Sequence, residues 1–303
     1  MSRTSPARTP RRSTSLPSPT LLAWSAVGLV VVIVATLVIV RLVVGDGPVA
    51  SSAQAVRPAS PALVREVSSV PPTVFDEVGA AVPSAFAGSA PIVVTGQPPL
   101  ALGGRSPSVL YLGAEYCPYC AAERWAMVVA LSRFGTWHGL ETTASGLLDG
   151  DYRTFSFRHA TLESPYVHLA TIEACTNRPD STARGCSGYG VLQTPTAAEQ
   201  RTLARYAGTA FVPGDRGGIA FPYVDIDNRV LLSGSTYQPV VLTNLTQAQI
   251  AGALTDPTDP VTQSIVGTAN ELSAGICAAT GGMPSSVCTS RGVEAGARAL
   301  KLP

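Results

Sequence analysis

The chain has a single lysine, Lys301, and only three histidines, His138, His159 and His168. Its formal net charge is +1 at pH 7. That balance leaves no bulk electrostatic footprint for a nucleic acid, which we exclude as a partner. The basic residues are almost all arginine, which reflects genome composition rather than function. Few histidines also leave little to build a metal centre from. Cys117 and Cys120 have no second ligand pair at a zinc spacing, and the remaining cysteines stand eleven residues apart in each pair. No metal and no cofactor are expected.

What is present centres on residues 108–131, Ser-Val-Leu-Tyr-Leu-Gly-Ala-Glu-Tyr-Cys-Pro-Tyr-Cys-Ala-Ala-Glu-Arg-Trp-Ala-Met-Val-Val-Ala-Leu. An apolar, β-prone segment runs into two cysteines three apart and then into a run free of Gly and Pro. This is the pattern of a dithiol on the first turn of a helix that follows a strand. Residues three apart share one side of a helical turn, so Cys117 and Cys120 can meet within disulfide reach. Unpaired N–H groups and the positive end of the helix dipole favour a thiolate at Cys117. Pro118 stands near the first helical position, where a missing N–H costs least. Cys120, deeper in the turn, is placed to resolve a mixed disulfide formed at Cys117. The competing readings are a structural disulfide and a metal pair.

The six cysteines form three local pairs, 117/120, 175/186 and 277/288. All three can close in an oxidising compartment. We read Cys175/Cys186 and Cys277/Cys288 as structural disulfides, with an additional redox relay as the sharper alternative for the first of them.

Residues 1–20 carry Arg3, Arg8, Arg11 and Arg12 among prolines and hydroxyl residues, the composition of a disordered cytoplasmic tail. Residues 21–44 are a near-unbroken apolar run. About 20 residues at 1.5 Å each cross a bilayer core. Trp24 and Arg41 suit the two interfaces, and the preceding arginines put the N-terminus inside. A cleaved signal peptide, with Ser52-Ala-Gln-Ala55 as its processing site, is the rival. Its apolar core would exceed the usual length of about 7–15 residues. Residues 45–71 read as a linker, 72–290 as the folded domain and 291–303 as a fraying tail.

Within the domain, Val109–Leu112 reads as a central strand covered on both faces. The helix after the dithiol extends to about Phe134 and is apolar nearly all round, so it is expected to be buried. Glu123 and Arg124 are its exceptions. They belong either to a buried ion-pair network or, for Glu123, to a proton shuttle for Cys120. Later strands are expected at Arg153–Phe157 and Tyr166–Ala174, and helices at Thr196–Tyr206, Thr243–Leu254 and Thr262–Thr280. Cys175–Cys186 reads as a loop. The stretch 217–234 reads as two apolar runs turning at Asp227-Asn228, a hairpin, with Pro222 at the start of its first strand.

A strand–CPYC–helix unit followed by a hairpin that opens on Phe221-Pro222 resembles the thioredoxin superfamily. The resemblance implies that Cys117 attacks, Cys120 resolves, and Pro222 is a cis-proline that lies against the dithiol, shapes a substrate groove with Phe221 and blocks metal capture. Tyr116 stands where thioredoxins usually carry Trp, and the Pro118-Tyr119 dipeptide is glutaredoxin-like. More closely, Gly113-Ala-Glu-Tyr-Cys-Pro-Tyr-Cys-Ala-Ala-Glu-Arg-Trp-Ala126, Ala130-Leu-Ser-Arg-Phe-Gly135 and Phe221-Pro-Tyr-Val-Asp-Ile226 resemble DUF929, a family of often membrane-anchored prokaryotic proteins.

The expected fold is therefore α/β, a thioredoxin-like mixed sheet flanked by helices and preceded by one N-terminal transmembrane helix. The expected function is a membrane-anchored extracytoplasmic thiol–disulfide oxidoreductase. Its partners would be cysteine-containing exported proteins, a redox partner and, through residues 21–44, the lipid bilayer. The alternatives are a non-catalytic binding or assembly module of a membrane complex, and a copper metallochaperone.

Overall fold

The computed structural model describes residues 55–302 other than 81, 104–106, 208–209 and 213–218. Among the described residues no helix is long and apolar enough to cross a membrane. The apolar run 21–44, read above as an anchor, lies outside them, as do the tail at 1–20 and the first part of the linker.

A two-residue strand, β1 (Arg57–Pro58), leads into helix α1 (Pro61–Ser68), which falls inside the stretch read as a linker. The Ser60 side chain accepts the Leu63 N–H at 3.2 Å and Pro61 takes the first helical position, a well-formed start. Leu63 and Val67, four apart, are buried. Helix α2 (Pro72–Val78) buries Val74, Phe75 and Val78, and strand β2 (Ile92–Val93) follows.

Next come β3 (Ser108–Gly113), α3 (Pro118–Leu131), β4 (Thr136–His138), β5 (Glu141–Ala144), β6 (Arg153–Ser156), β7 (Thr161–Glu163) and β8 (His168–Glu173). Strands β9 (Cys175–Pro179) and β10 (Tyr189–Val191) then pair antiparallel, so the cysteine-bracketed segment read as a loop is a hairpin. Helix α4 (Ala197–Tyr206) opens with a capping box between Thr196 and Glu199. Strands β11 (Tyr223–Ile226) and β12 (Val230–Ser233) form the expected hairpin. Asp227 and Asn228 both take positive φ, 54° and 55°, and the Arg229 N–H returns to the Ile226 carbonyl at 2.9 Å, a type I′ turn. Helices α5 (Gln247–Ala253), α6 (Pro260–Ala279), α7 (Ser285–Cys288) and α8 (Arg291–Leu300) complete the chain.

The central sheet runs β2-β12-β11-β3-β8. Only β3 and β8 are parallel, and the other neighbours are antiparallel. All six residues of β3 are buried. The pleat sorts them by face: Val109 and Tyr111 join the core with α3 and α6, whereas Leu110 and Leu112 join a second core with Tyr206 of α4. The sheet is thus mixed and covered by helices on both faces. Helix α6 starts at the Asp259 cap, whose carboxylate accepts the Val261 N–H at 2.7 Å, and it buries most of its twenty residues. Burying its Ile265, Val266, Leu272 and Ile276 contributes roughly 1.5–3 kcal/mol each.

The end of the chain, read as a fraying tail, is instead helix α8. Its Val293 and Leu300 are buried. Close packing requires glycine within α8: a Cβ on Gly296 would lie 2.5 Å from the Asn270 carbonyl oxygen of α6.

Candidate active site

Strand β3 carries the chain to the mouth of α3, and Cys117 is the residue that caps that helix. The Cys120 N–H donates to Cys117 Sγ at 3.2 Å, and Pro118 occupies the first helical position. Cys117 is 6% exposed and Cys120 is fully buried, and both are free thiols. Cys117 Sγ lies 3.8 Å from the Phe221 carbonyl oxygen. The Phe221–Pro222 peptide is cis. The segment that leads into the β11–β12 hairpin, more than a hundred residues downstream, therefore reaches the outer sulfur through the Phe221 carbonyl.

The two thiols are electrostatically unequal. A hydrogen bond from the Cys120 side chain holds Cys117 below the ordinary thiol range, helped by the Cys120 N–H and the Arg124 charge and opposed by burial. Burial pushes Cys120 well above that range, and the hydrogen bond and charge of Cys117 push it further. The proton thus rests on the inner sulfur and negative charge is favoured on the outer one.

Beneath them lies a buried charge network. Arg124 holds Glu173 with two hydrogen bonds, Nε to Oε1 at 2.9 Å and Nη2 to Oε2 at 2.7 Å. Its Nη2 also donates to the Ala114 carbonyl at 2.7 Å, the carbonyl that receives the Cys117 N–H at 3.2 Å. Burial works against the Arg124 charge, but Glu173, Tyr111 and Cys120 outweigh it and the guanidinium stays firmly protonated. Tyr111 lies with its ring centre 5.9 Å from the guanidinium, and burial raises its phenol well above the usual value. Glu115, nearly buried, accepts from the Ser156 hydroxyl at 2.8 Å, and its carboxyl is raised by burial and then by Glu173.

Glu123 points elsewhere. Its Oε2 accepts from the Ser235 hydroxyl at 3.2 Å and from the Thr236 N–H and hydroxyl at 3.1 Å, so its hydrogen bonds run to the β12 exit and not to either sulfur. Burial raises its carboxyl to about 7.

Around the mouth, Tyr116 stacks flat on Tyr189 of β10, with centroids 4.4 Å apart. The Tyr189 hydroxyl donates to Asp149. Tyr119 is 43% exposed and divides two grooves. One, of about 400 Å³, is bounded by Ser89, Phe221, Ser233 and Gly234; the other, of about 290 Å³, by Pro118, Asp149, Tyr152 and Val240. The two remaining pairs are disulfides, Cys175–Cys186 and Cys277–Cys288, with Cα separations of 5.8 and 5.5 Å.

The structure thus gathers Cys117, Cys120, Pro118, Tyr119, Tyr116 and Phe221 at one mouth, with Pro222 joined to Phe221 by the cis peptide, and sets Glu123 apart. Glu173, Tyr111, Glu115 and Tyr189 belong to the surroundings and were not singled out in the sequence. A lone carboxylate at the end of the apolar run of β8 was the available signal for Glu173.

Fold and site together define a mixed α/β protein with an asymmetric dithiol at a helix N-terminus. The family profile described as "Domain of unknown function (DUF929)" matches residues 96–184, the segment from before β3 to the first half of the β9–β10 hairpin. No curated protein matches the chain, and no solved structure matches it.

Proposed function

We propose that this chain is a membrane-anchored, extracytoplasmic thiol–disulfide oxidoreductase of thioredoxin-like architecture, acting on cysteines of exported proteins. The observation that carries the reading is the asymmetric pair itself: an outer thiol lowered at a helix cap, an inner thiol raised beneath it, and a groove that begins at Phe221. The Cys117 thiolate attacks a substrate disulfide, forming a Cys117–substrate bond and releasing the other substrate sulfur as a thiolate. Cys120 then gives up its proton and attacks Cys117 Sγ, closing Cys117–Cys120 and releasing the second substrate thiolate. Two electrons pass to the substrate, and the reverse sequence oxidises a dithiol. Residues 21–44 supply the anchor, and the arginines before them keep the N-terminus inside.

The deciding experiment replaces Cys120 with Ala in the full-length chain. Covalent partners that are released by reductant are expected to accumulate on Cys117, and to vanish when Cys117 is also replaced. A folded Cys120→Ala chain whose Cys117 forms no mixed disulfide, either with a partner or within the chain, overturns the reading. The near-complete burial of Cys117 favours the rival, a binding or assembly module whose dithiol is structural, and that rival gives the empty result.

A further inference from the structure

One small apolar cluster holds Ala114, Cys117, Cys120, Cys175, Cys186 and Tyr189 as its buried members. Four of these six residues are cysteines. The dithiol and the Cys175–Cys186 disulfide therefore share one pocket of the interior. The backbone fixes this: Cys175 follows β8, the parallel neighbour of β3, and its carbonyl accepts the Glu115 N–H at 2.9 Å, two residues before Cys117. Cys186 Sγ lies 3.8 Å from the Ala174 carbonyl oxygen, and Ala174 packs on the same cluster. The Tyr116–Tyr189 stack ties the hairpin to the dithiol loop from outside.

The other disulfide is a built-in contrast. Cys277–Cys288 closes a segment of the same sequence separation, 11, yet it packs in the core around α6, apart from the four-cysteine cluster. Loop stapling needs no second pair of thiols nearby, and Cys277–Cys288 has none. Cys175 and Cys186 are 1% and 4% exposed, against 6% for Cys117, so within this cluster Cys117 is the sulfur most open to a dissolved thiol. The reductant within the same cluster is the Cys117–Cys120 pair.

We infer that Cys175–Cys186 is a second redox centre that exchanges electrons with Cys117 and Cys120 inside the molecule; this rests on the oxidoreductase reading above. The Cys117 thiolate attacks Cys175 Sγ, the Cys117–Cys175 bond forms, and Cys186 leaves as a thiolate. Cys120 then attacks Cys117 Sγ, the Cys117–Cys120 bond forms, and Cys175 leaves. Two electrons move from one pair to the other, and the two protons lost from Cys117 and Cys120 end on Cys175 and Cys186. The chain thereby stores two electron pairs instead of one.

The test equilibrates the full-length chain in graded mixtures of reduced and oxidised dithiothreitol, quenches it with acid, and reads each pair separately by differential alkylation and peptide mass spectrometry. Cys175–Cys186 is expected to follow Cys117–Cys120, and to react about tenfold more slowly or worse in the Cys117→Ser/Cys120→Ser variant, with Cys277–Cys288 unaffected. Equal rates in both chains, or a Cys175–Cys186 bond that stays closed while Cys117–Cys120 titrates, overturns the relay and leaves the oxidoreductase reading standing. A Cys117–Cys120 pair that never titrates brings down both. If the double variant does not fold, purified Cys120→Ala alone decides: a peptide joining Cys117 to Cys175 is expected, and its absence refutes the exchange.

Discussion

Replacing Arg124 with Met tests the charge network under the dithiol. Arg124 and Glu173 are both fully buried and meet at 2.7 Å. At an effective dielectric near 20, charges that close attract by about 6 kcal/mol. Withdrawing both from water costs several kcal/mol per ion, so the intact pair is near neutral against an apolar replacement. Removing the guanidinium alone is different. It leaves the Glu173 carboxylate buried, with the Phe157 N–H at 3.1 Å as its remaining protein donor among the described residues. The expected loss is about 3–5 kcal/mol, or roughly 10 °C in Tm for a domain of this size. Adding Glu173→Gln, which keeps an acceptor for the Phe157 N–H, is expected to recover most of that loss. Urea unfolding of the single and double variants gives the coupling directly. A single variant within about 1 kcal/mol of the parent, or a double variant equal to the sum of the singles, refutes the argument. The Cys117 thiol should also titrate higher in Arg124→Met, though by less than in Cys120→Ala, because the Cys120 hydrogen bond is the larger stabiliser of the outer thiolate.

Three further outcomes are expected. The Glu123 carboxyl is raised from 4.5 to about 7 in the folded chain, so the unfolded chain ionises first and stability falls as pH rises through that window. The group accounts for roughly 3 kcal/mol of that fall, and thermal melts of Glu123→Gln across the same pH range should be correspondingly flatter than those of the parent. Replacing Cys277 and Cys288 with Ser frees an 11-residue closure and should cost about 3 kcal/mol in urea unfolding, with no change in Cys117 reactivity. Gly296→Ala pushes α8 off the Asn270 carbonyl and should cost about 1–3 kcal/mol, read as a lower urea midpoint; an unchanged midpoint would show that α8 can shift freely.

The dithiol unit was legible because every local signal agreed: an apolar strand, proline at the first helical position, and fourteen residues of helix without a breaker. The β11–β12 turn was legible for the same reason, through Asp227-Asn228. Three elements were hidden by composition. Helix α1 starts on a clear Ser60-Pro61 signal but sits among Ala, Ser and Pro, which read as a tether. Helix α8 carries Gly292 and Gly296, which look like poor helix formers; the close approach of α6 at Gly296 is what makes glycine necessary there. The β9–β10 hairpin is spelled in Thr, Asn, Arg and Gly, a loop vocabulary, and becomes strand through pairing and its disulfide. The role of Arg124 was half visible: a charge on an apolar helix needs a partner, but that partner lies 49 residues away on β8, beyond any helical spacing.

The order β12-β11-β3-β8 bears on how the chain is born. The strand that presents the thiols borders β11, with Val109 opposite Ile226, so that flank stays open until the ribosome has made more than a hundred further residues. At about 5–20 residues per second, that interval lasts on the order of 5–20 s. Cys175 and Cys186 emerge within it, before β11 can close the sheet beside β3. Four of the six cysteines are therefore made before β11 exists to cover that flank of β3, and only Cys277 and Cys288 are made after the sheet can close.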